Sequence, residues 1–81
     1  MRETEKLLVK ETDKWLSRLK SKEVISLGKK GDMIKENIEA YTEDAEHFLD
    51  KDDLVRAFEA VVWAWSWLEI GEELGKVERS E

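Results

Sequence analysis

Few side chains in this sequence could do acid–base or metal chemistry. His47 is the single histidine, and there is no cysteine. In "EDAEH", Glu43 and Asp44 stand four and three residues before His47, so on a helix a carboxylate shares its face. Metal sites in helical bundles draw Glu-x-x-His from each of two helices and further Glu from two more. One His with Asp three residues before it supplies only a fragment of that set. "DKDD" at 50–53 begins like a calcium-binding loop. However, Val55 stands where that loop needs glycine, and Val61 stands where it needs a bidentate Glu. A helix-capping turn accounts for it better. There is no glycine-rich phosphate loop and no nucleophile elbow. With one histidine there is no histidine relay, and without cysteine there is no thiol nucleophile. The expectation is a chain with no catalytic residues, no metal and no cofactor, and not an enzyme acting alone.

Binding chemistry has more to draw on. Lys6, Lys10, Lys14, Arg18 and Lys22 form an unbroken i, i+4 row that could meet nucleic-acid phosphates. Against that, Glu36, Glu39, Glu43, Glu46 and Asp50 load a later segment with the opposite charge, and two neighbouring helices could pair along that seam. The formal net charge is −6. Nucleic acid is therefore not the expected partner. The other concentration of chemistry is "VVWAWSWLEIG", which sets Trp63, Trp65 and Trp67 at alternate positions.

The elements that must position these residues follow from periodicity. Leu8, Thr12, Trp15 and Leu19 are spaced 4, 3, 4, as are Ile34, Ile38, Tyr41 and Ala45, then Leu54, Phe58, Val61 and Trp65. This predicts helices over about 3–22, 33–49 and 53–74. Gly28 and Gly31 interrupt the first gap, with Asp32 as N-cap of the second helix. Asp52 or Asp53 can cap the third, Gly75 can stop it, and residues 76–81 read as a frayed tail. "SKEVIS" reads either as an extension of the first helix or as a loop with Val24, Ile25 and Leu27 tucked against the bundle. Strand signals are absent. The expected fold is all-α, an up-down-up three-helix bundle in one domain spanning 1–81.

Composition agrees. Eighty-one residues suit one small domain, and a chain of that size buries only roughly 60% of its unfolded surface. Charged residues make up 42%, proline is absent and glycine numbers four, a mixture suited to helices with solvated outer faces. Glutamine is missing and Asn37 is the single asparagine, as in proteins from hot environments. Residues 1–31 hold nine Lys/Arg against five Asp/Glu, while 32–81 hold five against fifteen. No apolar run approaches the ~20 residues of a membrane span, and the N-terminus lacks a secretory pattern. A cytoplasmic location is expected.

The third helix carries two apolar stripes. With Leu54 at zero and about 100° per residue, Phe58, Val61, Trp65 and Leu68 fall within about 40° of it, the expected core stripe. Trp63, Trp67, Ile70 and Leu74 fall between about 160° and 220°, again spaced 4, 3, 4. Ala60, Ala64 and Gly71 lie on the flank between. A bundle helix buries roughly one stripe. Three coverings of the second are open: the 24–27 segment with a stripe that rotates along the helix, a second copy of the chain, or another partner or apolar ligand.

Residues 41–75 resemble an archaeal family known only as domain of unknown function 357. The pattern is carried by Tyr41, Asp44-Ala45, Phe48-Leu49, Asp53, Arg56-Ala57 and Leu68-Glu69-Ile70-Gly71. The family pattern has Tyr-Ala-His-Gly where this chain has Trp63-Ala64-Trp65-Ser66, Gly where Asp52 stands, and Asp where Glu69 stands. The resemblance implies a three-helix bundle and brings no activity with it.

The leading expectation is thus a non-enzymatic helical module that associates, with itself or an unidentified protein, through Trp63, Trp67, Ile70 and Leu74. The alternatives are a small-ligand or RNA-binding protein using Tyr41, Asp44, Arg56 and Glu69 as a polar site, or an accessory subunit of a larger complex.

Overall fold

A computed structural model describes residues 2–80. Three helices, α1 (Glu3–Lys20), α2 (Lys29–Asp50) and α3 (Leu54–Glu73), run up, down and up. Strand β1 (Glu23–Ser26) links α1 to α2, and strand β2 (Val77–Ser80) follows α3. The two strands pair antiparallel, with Glu23 opposite Ser80 and Ser26 opposite Val77. The molecule is thus a three-helix bundle carrying a small β-clasp.

The clasp corrects two sequence expectations. Strands do form, and the tail at 76–80 is not frayed; residue 81 lies outside the described residues. Four-residue strands carry too little pattern to be seen in sequence, and each exists through its partner across the ladder. Val77 is 2% exposed and sits in the main core cluster with Leu19, Ile34, Ile38, Ala64 and Leu68. In "SKEVIS", Ser21 and Lys22 form a turn and the rest is β1; Val24 packs against that cluster as the tucked reading expected, while Ile25 and Leu27 are exposed.

Gly31 and Gly71 make room for the clasp. A Cβ on Gly31 would lie 2.1 Å from the backbone oxygen of Lys76, and one on Gly71 would lie 2.7 Å from Cγ2 of Val77. Gly31 is therefore a buried residue inside α2 and not the break before it. Helix α2 starts earlier than the expected Asp32 cap. Gly28, at φ 143°, is the N-cap, and its carbonyl accepts from the Asp32 amide at 2.9 Å.

Two chain reversals share one hydrogen-bond pattern. After α3, Gly75 (φ 70°) donates to Glu72 O, and Lys76 donates to Gly71 O. After α2, Asp52 (φ 57°) donates to Leu49 O, and Asp53 donates to Phe48 O. Both are Schellman closures, the second with Asp in the left-handed position that glycine usually takes. Asp53 then caps α3, its carboxylate accepting from the Arg56 amide at 3.4 Å. Buried Thr12 is satisfied within α1, its hydroxyl donating to Leu8 O at 2.7 Å. Among the described residues no buried side-chain polar atom lacks a partner, and no helix is long and apolar enough to cross a membrane.

Candidate functional site

The inside of α3 is centred on neither tryptophan stripe, although Val61 and Leu68 of the expected core stripe are buried. Its buried residues are Ala57, Ala60, Val61, Ala64, Leu68 and Gly71. On the helical period they occupy an arc centred about 70° from the expected core stripe, on the small-residue flank between the two apolar stripes. Leu54, Phe58 and Trp65 are only half-buried. The reason is steric. Alanine and glycine let α3 approach α2 closely, where Ala45 and Ile34 meet it. Indoles at that contact would hold the two helices apart, so the bulky residues are displaced to its margins.

One margin is closed by α1. The Trp65 indole Nε1 donates to the Trp15 carbonyl at 3.0 Å, and the two rings meet edge to face at 5.7 Å. The Arg79 guanidinium lies over the Trp65 ring at 5.4 Å and donates to both carboxylate oxygens of Glu72, at 2.7 and 2.5 Å. That guanidinium holds the Glu72 carboxyl below the usual carboxylate range, against a smaller opposing effect of burial. The clasp, α3 and the aromatic pair are thereby joined.

The other margin is open. Trp63 is 54% exposed, Ile70 47% and Leu74 62%. Trp67 is half-buried against the core cluster. Trp63 stacks on Tyr41 of α2, with ring centroids 6.2 Å apart and planes inclined by 20°. The 24–27 segment leaves this stripe exposed, being committed to the β-clasp. On the helical period, exposed Met33 and Ala40 fall on the side of α2 that adjoins the stripe. The open face is therefore made by α2 and α3 together, opposite α1.

The four expected polar-site residues divide. Tyr41, Asp44 and Arg56 line one hollow of about 180 Å³ with Phe48, Glu59 and Trp63, at the end of the open face near the α2–α3 turn. Glu69 lies elsewhere, in a hollow of about 230 Å³ beside Trp15 and Trp65. Positions 56 and 69 are about 140° apart around α3, so no single site can hold both. The Arg56 guanidinium sits 3.6 Å from Asp53 and 5.9 Å from the Phe48 ring centroid, held locally as its spacing allows.

The charge seam differs from expectation. The ion pair between α1 and α2 is Lys20–Glu46, at 2.8 Å, and Lys20 is not in the basic row. Within that row Lys14 pairs with Glu11 at 2.8 Å, and Lys14 and Arg18 both lie over the Trp15 ring. A hollow of about 410 Å³ opens between α1, β1 and α2; Leu19, Val24 and Ile38 help line it, as do Lys35 and Glu39. His47 is exposed beside the Phe48 ring. Among the described residues no three His, Cys, Asp or Glu side chains converge as metal ligands would.

A family model described as "Protein of unknown function (DUF357)" matches residues 9–77. The chain belongs to the DUF357 family. Its fold is similar to the crystal structure of protein AF1782 from Archaeoglobus fulgidus, a DUF357 protein, at 49% sequence identity. The alignment covers 95% of this chain and 99% of that one, with a TM-score of 0.80. No curated protein matches the chain. Family membership thus carries the bundle and leaves the activity to be argued from the surface. The Arg79–Glu72 clasp is what sequence reasoning missed. Its available signal was Gly71, a glycine inside a helical stretch with no turn to explain it, whereas Gly31 read as part of the turn.

Proposed function

We propose that this DUF357 protein is a non-enzymatic interaction module that associates with protein through the open α2–α3 face. Trp63 carries the reading: it is more than half exposed on a helix whose buried side is made mostly of alanine and glycine with Val61 and Leu68, and it lines up with exposed Ile70 and Leu74. Large aromatics set among aliphatics are the usual anchors of protein interfaces. A contiguous apolar patch left in water favours association. An accessory subunit of a larger assembly would use the same face. The test is affinity capture from native host extract with three baits: wild type, Ile70→Glu on the face, and Val55→Glu, an exposed position outside it. Captured chains should be lost with Ile70→Glu and kept with Val55→Glu. A profile unchanged by Ile70→Glu would falsify the reading.

A second reading is a small planar ligand or an RNA base held at the hollow of Tyr41, Asp44, Arg56 and Trp63. The stacked Tyr41–Trp63 pair with a nearby guanidinium favours it. Titrating mononucleotides and short RNA while following tryptophan fluorescence tests it, with Arg56→Ala expected to weaken any response. A flat titration in both proteins removes it.

A further inference from the structure

Resting on the interaction reading, we infer that the occupant of the open face is a second copy of this chain, packed with its α3 antiparallel to the first. Three observations argue for this occupant.

The seam is self-complementary. Trp63, Trp67, Ile70 and Leu74 are spaced 4, 3, 4, which reads the same in both directions. A two-fold axis midway along it sets Trp63 against Leu74 of the other copy and Trp67 against Ile70. Each contact then pairs an indole with an aliphatic side chain and avoids opposing two indoles. This is the a/d arrangement of a short antiparallel coiled coil.

Charge is complementary under the same operation. Asp44 and Glu59 stand beside Trp63 at one end of the face. Lys29 and Lys30, both exposed, open α2 at the other end. On the helical period both lysines and Met33 fall within about 60° of the direction Asp44 takes. Gly71 meets Ile34, and Trp63 meets Tyr41, which fixes the register of the two helices. In that register the antiparallel axis brings Asp44 level with Lys29 of the second copy. A parallel partner would set acid against acid.

The area is sufficient. Helix α3 has 20 residues, a length of ~30 Å, and two adjacent helices are ~20 Å across, so the face offers roughly 600 Å² per copy. Specific interfaces bury ~600–1,000 Å² per partner. A reversible dimer, weaker than an obligate one, is the expected result.

The experiment uses the whole chain at protein concentrations from about 1 μM to 1 mM, a span that covers weak and moderate dimers. Sedimentation equilibrium should show a monomer–dimer equilibrium that Ile70→Glu abolishes and Val55→Glu keeps, with circular dichroism confirming that both variants fold. The chain has no cysteine, so a spin label on Leu74→Cys is unique. Mixed with isotope-labelled wild type, it should broaden the Trp63 indole signal and leave Trp15 sharp. Wild type that stays monomeric to about 1 mM overturns the second copy. If Ile70→Glu still loses a captured host protein in that case, the interaction reading stands without it. A dimer in which the label leaves Trp63 sharp overturns the antiparallel arrangement.

Discussion

The backbone oxygen of Lys76 lies 2.1 Å from where a Cβ of Gly31 would stand. The start of α2 and the chain leaving α3 are therefore in backbone contact, and that contact seats β2. The Leu27 amide donates to the same Lys76 oxygen at 2.9 Å, so the oxygen cannot move away without breaking the link to β1.

Gly31→Ala should therefore destabilise the protein, although alanine is the better helix former by about 1 kcal/mol. The expected net loss is about 1–2 kcal/mol, as for overpacking against backbone. Thermal unfolding measures it, and amide exchange should rise first in β1 and β2. An unchanged or raised melting temperature would show that the approach is looser than described.

Asp52→Gly should act in the opposite sense. Asp52 holds φ 57° at the Schellman closure of α2, a conformation disfavoured for a side-chain-bearing residue. Its carboxylate also sits at the negative end of a helix. Removing both costs should add about 1 kcal/mol to unfolding free energy, read from denaturant midpoints. A lower midpoint would mean that the Asp52 side chain holds the turn.

Leu68 and Ile70 are two residues apart and should respond differently. Leu68 is fully buried, and Leu68→Ala should cost about 2–5 kcal/mol. Ile70 is 47% exposed, and Ile70→Gln should stay within about 0.5 kcal/mol for the isolated chain. Unfolding at low micromolar concentration makes the comparison. Equal losses would place Ile70 inside and remove the open face.

Acid should loosen the clasp through Glu72. Its folded-state pKa is lowered, chiefly by the hydrogen bonds from Arg79. The carboxylate's contribution is thus complete above the unfolded-state pKa and disappears as pH falls through the folded-state one. Wild type should melt above Glu72→Gln near neutrality, and the gap should close in acid. The pair is partly solvated, so added salt should narrow the gap too. A gap independent of pH would assign the effect of Glu72 to packing.

The helical class was legible because the 4, 3, 4 spacing of residues such as Ile34, Ile38, Tyr41 and Ala45 is a local signal. The face of α3 that turns inward was less legible. Hydrophobicity ranks tryptophan above alanine, whereas the approach of two helices selects for small size, so Ala60 and Ala64 went inside and Trp65 to the margin. Gly31 looked like a helix break because its reason is a carbonyl 45 positions further along the chain. The strands were invisible for a related cause: "EVIS" and "VERS" have no preference strong enough to outweigh context until each finds the other. The expected polar site was legible in part, since Tyr41, Asp44 and Arg56 share an end of the bundle while Glu69 faces another direction.

The β-clasp has a consequence for synthesis. Helices assemble from near neighbours within microseconds, whereas β1 must wait for a strand about fifty residues downstream before it can pair. While α3 is leaving the ribosome, the pocket that Val77 will fill stays wet, with Ile34 and Leu68 at its rim. The nascent chain should pass through a loosely closed helical stage that ends only when β2 pairs with β1, and its exposed apolar surface makes that stage the vulnerable one.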